Sequence, residues 1–274
     1  AVNEGAIDNQ QRNYPLPFGG HTVGYYSLLH GTSGAEAAFD FDLRGESSDF
    51  WSDRYRQTLH LPQVGRDVHL ALDYSLQETA VHALGDNTGS ALLLRLPHGD
   101  NDRAWISARV SLTGYVANQV DDTFEELGAA VDAPLLNRAT QGQYQPGLLL
   151  QPFILASSID QGIISLNDIV EDPDRPVRVN GSVLRCAIRP PQPATWSIVL
   201  THRCPAPMQD LADRIGSAGL DVAIADFGLD RDPVLEIDTA TTADQPLEDP
   251  LLAGIGQENL SVTPLQIGLA TASL

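Results

Sequence analysis

The sequence contains no lysine, since all 16 of its basic side chains are arginines, against 36 aspartates and glutamates. The formal net charge is therefore -20. A surface of this sign repels phosphate backbones and anionic lipid headgroups, which argues against nucleic-acid binding and against polybasic membrane binding. A phosphate-binding loop of the P-loop type is excluded as well, because that motif requires a lysine.

Long hydrophobic runs are also missing. The most apolar stretch, residues 147–159, is interrupted by Gln151 and Pro152 and falls short of the roughly 18 to 20 apolar residues of a membrane helix. The first eleven residues lack both the basic and the apolar region of a signal peptide. We therefore expect the chain as given to be soluble, with any targeting segment either removed or never present.

Cysteine is scarce. The two cysteines, Cys186 and Cys204, are too few for a disulfide scaffold. A pair at this separation either closes one loop in an oxidising compartment or remains as two buried thiols, and the sequence leaves both alternatives open. The seven histidines form no His-Glu-x-x-His motif, and no Cys-x-x-Cys pair occurs, so we predict neither a zinc site nor a cofactor.

The periodicity of the chain predicts a large globular α+β protein. Asp73 is placed to cap a helix over residues 74–84 that ends at Gly85. The alternating run 66–72 before it predicts a strand, and the apolar runs 90–96 and 103–110 predict a hairpin. Helices are predicted over 35–43, 123–130, 147–159, 196–202, 208–218 and 264–274, with exposed connections at 171–176 and 189–193.

Most motifs of enzyme chemistry are absent. There is no Gly-x-Ser-x-Gly elbow for a serine hydrolase, and the acidic clusters 121–126 and 238–249 lack the spacing of a calcium loop. Carboxylates suitable for glycoside hydrolysis are plentiful, but their separation in space does not follow from the sequence. Motifs alone therefore leave the function open, with a hydrolase that uses carboxylates as one alternative.

Several segments, taken in order along the chain, carry more information. They are residues 11–16, 23–27, 67–84, 90–110, 134–139, 142–147, 255–257 and 262–266. Together these segments resemble the class B penicillin-binding proteins. The resemblance implies the transpeptidase fold of the penicillin-binding proteins and serine β-lactamases, with residues 1–65 as an irregular lead-in segment and residues 66–274 as a degenerate transpeptidase-like domain.

In that family, the Pro-Gly that matches residues 146–147 precedes Ser-x-x-Lys, whose serine attacks the peptide carbonyl and whose lysine helps to remove the serine proton. The matching positions here are Leu148 and Gln151. The second family motif, Ser-x-Asn, matches Arg203, Cys204 and Pro205. The third motif, Lys-Thr-Gly, would lie beyond the last residue. The resemblance therefore implies a degenerate member without catalytic residues.

We accordingly predict a non-catalytic pseudoenzyme that serves as a structural or interaction subunit of the cell envelope. The alternative is a non-hydrolytic module that binds peptidoglycan stem peptides. Family members complete their sheet after the Thr-Pro-Leu-Gln helix, so we expect a truncated domain with an incomplete sheet.

The resemblance also implies where the chain works and with what. We expect its open edge to be covered by a protein partner or a larger membrane-associated assembly. The location implied is extracytoplasmic, with a membrane anchor upstream of Ala1 and contact with peptidoglycan. No nucleic acid is expected as a partner.

Overall fold

A computed structural model describes residues 2–4, 11–46, 54–55, 58–60, 64–96, 103–242 and 246–274. The chain forms two compact units, Ala1–Gly142 with Val234–Thr239, and Gln143–Pro233 with Ala240–Leu274. The boundary predicted between residues 65 and 66 does not coincide with this division and stays a prediction. Within the described residues, none of the helices combines the length and the apolar content that crossing a membrane requires.

The first unit contains short strands and helices ahead of one long hairpin. Its elements are β1 (Val2–Glu4), β2 (Gln11–Asn13), α1 (Gly20–Val23), β3 (Tyr26–Ser27), β4 (Gly31–Thr32), α2 (Gly34–Ala38), α3 (Asp40–Arg44), α4 (Tyr74–Leu84), β5 (Gly89–Arg95), β6 (Trp105–Leu112), a 3-10 turn (Ala117–Gln119) and α5 (Val120–Ala129).

Helix α4 and the antiparallel β5–β6 pair confirm the predicted helix and hairpin. The Asp73 carboxylate accepts hydrogen bonds from the backbone N–H groups of Ser75 and Leu76, which caps the helix. Gly85 ends the helix with a φ of +56°, which favours glycine. The predicted turn at 97–102 lies outside the described residues.

Two local predictions in this unit are wrong. Residues 66–72 form no strand: Leu70 is exposed, and Val68 and Leu72, which are partly buried, belong to none of the apolar clusters of the described residues. The helix predicted over 35–43 is two short helices, α2 and α3, which are separated at Phe39. The apolar periodicity of the sequence does not reveal the break at Phe39.

The second unit is mainly helical. Its elements are a 3-10 turn (Gly147–Leu150), α6 (Gln151–Asp160), β7 (Ile169–Val170), β8 (Val177–Val179), β9 (Ser182–Leu184), β10 (Ala194–Thr195), α7 (Trp196–His202), α8 (Pro205–Asp226), α9 (Pro250–Ala253) and α10 (Pro264–Ala272). Strand β7 pairs with β10 and β8 with β9, both antiparallel.

Helix α6 lies at the centre of the core of this unit. Its side chains Phe153, Ile154 and Leu155 are at most 2% exposed. They belong to one apolar cluster with buried residues of α8 such as Met208, and the rings of Phe153 and Phe227 lie 5.1 Å apart. Burying an aromatic or aliphatic side chain of this kind contributes about 1.5 to 3 kcal/mol. The core therefore fixes α6, whose first residue is Gln151, one of the predicted site residues.

Candidate functional site

The start of α6 is held by a close contact between two glycines. The N–H of Gly147 donates to the carbonyl of Gly256 over 3.0 Å. Both residues have a positive φ, +57° and +65°, and a Cβ added to Gly256 would collide with the backbone of Gly147. Because only glycine allows this approach at low cost, the Pro-Gly and Gly-Gln segments of the sequence depend on each other. A bridge between Tyr144 and Val262 supports the same arrangement.

Leu148 follows directly, in the 3-10 turn that leads into α6. It is partly buried and packs against the core of the unit, whereas its neighbour Leu149 is 62% exposed. The Leu148 side chain is purely hydrocarbon and offers neither a nucleophile nor a proton acceptor. Its packing explains why leucine is tolerated at this position.

Gln151 is 1% exposed, and its Nε2 donates to the carbonyl of Cys204 over 2.9 Å. This bond joins the first predicted motif to the second. Arg203 is exposed and ends α7 with a φ of +52°, and Pro205 is buried in the first turn of α8, where a missing N–H has little cost. The predicted motif residues therefore differ in their surroundings. Leu148 is partly buried and Arg203 is exposed, whereas Gln151 and Cys204 are joined by a hydrogen bond.

Cys186 and Cys204 form a disulfide, which closes a loop with a sequence separation of 18. The sequence had left this bridge and two free thiols as alternatives. The segment after Cys186 is tied to α7 as well, since the N–H of Ala187 donates to the carbonyl of His202 over 2.9 Å. The backbone around Cys204, in the predicted second motif, is thus fixed by the disulfide and by this hydrogen bond.

The Thr-Pro-Leu-Gln segment has a physical role that the sequence analysis missed. Thr263 accepts a hydrogen bond from the N–H of Gln266, and the Gln266 side chain accepts one from the N–H of Thr263, forming a capping box. Gln266 Nε2 also donates to the carbonyl of Arg231 and to the Thr242 hydroxyl, each over 3.0 Å. A Thr followed three residues later by Gln was the signal for this cap.

A second polar cluster, in the first unit, was also missed. Arg109 is 3% exposed and donates to the carbonyls of His21 and Thr22 over 2.7 and 3.2 Å. Burial lowers the pKa of Arg109 to about 10, and burial likewise lowers the pKa of His21 to about 4. The cluster connects α1 to β6. Within the described part of the chain, no group of three or more His, Cys, Asp or Glu side chains is placed to hold a metal ion.

The sequence profile described as penicillin binding protein transpeptidase domain matches residues 88–274. The chain belongs to this family.

Curated relatives carry matching names. Peptidoglycan D,D-transpeptidase MrdA of Haemophilus influenzae is 26% identical over 272 residues, which cover 91% of this chain and 40% of that protein. MrdA of Escherichia coli is 28% identical over 177 residues, or 62% of this chain and 26% of that protein. PbpA of Mycolicibacterium smegmatis is 25% identical over 96% of this chain and 57% of its own length. The chain thus spans well under two thirds of each relative.

Solved structures confirm the predicted α+β transpeptidase fold. Penicillin-binding protein A from M. tuberculosis, a penicillin G acyl-enzyme complex, superposes with a TM-score of 0.84 and 22% identity over 99% of this chain and 67% of that one. The D,D-transpeptidase domain from Eggerthella lenta gives a TM-score of 0.79 at 20% identity, covering 99% of this chain and 65% of that one. At these identities the likeness establishes the fold.

The comparisons contradict the predicted function. The relatives are named peptidoglycan D,D-transpeptidases, so the prediction of a non-catalytic structural or interaction subunit, with a non-hydrolytic stem-peptide module as its alternative, is wrong. That prediction rested on the side chains at four motif positions and on a third motif, Lys-Thr-Gly, that was expected beyond the last residue. A few substituted positions do not determine what a protein of an enzyme family does.

Proposed function

We propose that this chain acts in peptidoglycan D,D-transpeptidation in the cell envelope, on peptidoglycan stem peptides. The match of the family profile to residues 88–274 carries the proposal. The names of the relatives support it, and so does the likeness in fold to a protein that was solved as a penicillin acyl-enzyme. Since transpeptidation takes place outside the cytoplasm, an extracytoplasmic location and a protein partner in the envelope belong to the same proposal.

We also propose that Leu148, Gln151, Arg203 and Pro205 stand at the Ser-x-x-Lys and Ser-x-Asn positions of the family. The hydrogen bond from Gln151 to Cys204 supports this assignment, because it joins the two segments in which the motifs would lie. The glycine contact that precedes Leu148 supports it as well.

This assignment has a chemical consequence. Transpeptidation by acyl transfer needs a nucleophile that attacks and bonds to the carbonyl carbon of the stem peptide, so that the C–N bond breaks and the terminal residue leaves as an amine with the proton that the nucleophile gives up. The amine of a second stem peptide then takes the acyl group and returns a proton to the nucleophile. A leucine side chain cannot make that attack. The acyl group therefore does not form on residue 148, and the nucleophile comes from another side chain of the protein or of its partner.

The proposed function is tested by the cross-linking of the wall itself. We would delete the gene for this chain, digest the isolated peptidoglycan with a muramidase, and quantify D,D-cross-linked muropeptide dimers by liquid chromatography and mass spectrometry. The proposal predicts that the fraction of these dimers falls and that the natural gene restores it. An unchanged fraction in the deleted strain would contradict the proposal.

Two complementing variants provide matched controls. Gln161→Met changes an exposed residue directly after α6 and should restore cross-linking like the natural gene. Phe153→Ala removes a side chain that is 2% exposed and should cost about 3 to 5 kcal/mol of stability, so it should fail to restore cross-linking. Restoration by both variants would mean that the folded domain is not what the wall requires.

A further inference from the structure

The turn between β3 and β4 carries two exposed leucines. Leu28 is 88% exposed and Leu29 is 78% exposed. The turn is nevertheless well held, because the Ser27 hydroxyl accepts hydrogen bonds from the N–H groups of Leu29 and His30 over 3.0 and 2.9 Å. Adjacent apolar side chains that are exposed on a well-held turn are typical of surfaces that bind other proteins.

This turn packs against helix α5 in the first unit. The His30 ring stacks on the ring of Phe124 at a centroid distance of 4.0 Å and an interplanar angle of 11°. The ring of Tyr25 packs edge to face against the ring of Phe124, at a centroid distance of 6.5 Å. We call residues 28–30 together with the exposed face of α5 the turn–helix surface.

The helix gives this surface a strong negative charge. The exposed side chains of α5 include no basic residue. Burial, and after it the charge of Asp121, raises the pKa of Tyr25, which indicates that the carboxylate lies close to the aromatic contacts. Within the described residues, no ion pair neutralises the four carboxylates of the helix. They belong to Asp121, Asp122, Glu125 and Glu126.

We propose that the turn–helix surface binds a basic amphipathic segment of a partner protein. Its apolar side chains would cover Leu28 and Leu29, and its arginines or lysines would face the carboxylates of α5. Charge complementarity selects this occupant. An anionic lipid surface is repelled by the acidic helix, and a second copy of a chain with a net charge of -20 is repelled as well.

The probe for this site is an 18-residue helical peptide with leucines along one face and arginines along the other, labelled for fluorescence anisotropy. The natural chain should bind it at physiological salt, and a matched peptide with glutamates in place of the arginines should not bind. Leu28→Ser combined with Leu29→Ser should weaken binding about tenfold or more, because the apolar contact is lost. Both positions are exposed, so an unchanged melting temperature is the check that this variant still folds.

A charge control distinguishes binding at the turn–helix surface from non-specific attraction between a basic peptide and an acidic protein. Neutralising the four α5 carboxylates to the matching amides should weaken binding about tenfold, because charge pairs at the contact are lost. Neutralising four exposed carboxylates elsewhere should change it less than about twofold, since none of these side chains belongs to the turn–helix surface and exposed charges outside a contact are screened by salt. The inference fails if the natural chain does not bind the probe, if the leucine variant binds as tightly, or if the control weakens binding as much as the α5 variant. The control positions are Glu171, Asp213, Asp221 and Glu236.

Discussion

Replacing Gln151 by methionine should destabilise the chain through a single hydrogen bond. Gln151 is 1% exposed, and its Nε2 donates to the carbonyl of Cys204 over 2.9 Å. Methionine has a similar length and flexibility, so little cavity is created, but it cannot donate. The carbonyl is then left buried without this partner, which costs about 1 to 3 kcal/mol in the free energy of unfolding.

Urea unfolding followed by tryptophan fluorescence measures this change, with Trp196 of α7 as a buried probe in the same unit. Gln192→Met is the matched control, because Gln192 is exposed in the connection between β9 and β10 of the same unit, so its replacement should cost less than about 0.5 kcal/mol. Unfolding of Gln151→Met and Gln192→Met at the same urea concentration would refute this prediction. That result would mean that residues 151 and 204 are not in contact.

Four further predictions concern stability. Replacing Cys186 and Cys204 by serine opens a loop with a sequence separation of 18 and should cost about 3 kcal/mol, seen as a lower Tm. Thr263→Ala removes the capping box of α10 and should cost about 1 to 2 kcal/mol in urea unfolding, whereas Thr263→Ser should be nearly neutral. Burial lowers the pKa of His21 to about 4, so between pH 6.5 and pH 4 the unfolded state binds a proton that the folded state does not. About 3 kcal/mol of stability is therefore lost as the pH falls from 6.5 towards 4. His21→Phe should remove this part of the dependence of stability on pH. Since the net charge is -20, raising NaCl from about 0.1 to about 1 M should screen self-repulsion and raise the Tm.

Elements with strong local signals were predictable from the sequence. Helix α4 has a capping aspartate before it and a glycine after it, and α7 occupies the predicted residues 196–202. Helix α8 is longer than predicted and contains a break at Gly216, where φ is +66°. An alternating run such as 66–72 predicts a strand only if a core lies against it, and here none does.

The candidate site was only partly predictable. The family resemblance located Leu148, Gln151, Arg203 and Pro205, but the contact of Gln151 with Cys204 joins residues 53 positions apart. Such a contact depends on how α6 and the start of α8 pack. The buried Arg109 and His21 had no local signal, because a buried arginine and an exposed one look alike in a sequence. The function was misjudged because the substituted motif positions were given more weight than the family as a whole.

The most direct test of the site assignment is to map penicillin on the protein. The natural chain and penicillin-binding protein A from M. tuberculosis, which was solved as a penicillin G acyl-enzyme, would be incubated with penicillin G, digested and analysed by mass spectrometry. The assignment predicts a penicilloyl group on the mycobacterial protein and none on residues 147–160 of this chain. A penicilloyl group within residues 147–160 would contradict it and would place a reactive side chain on α6.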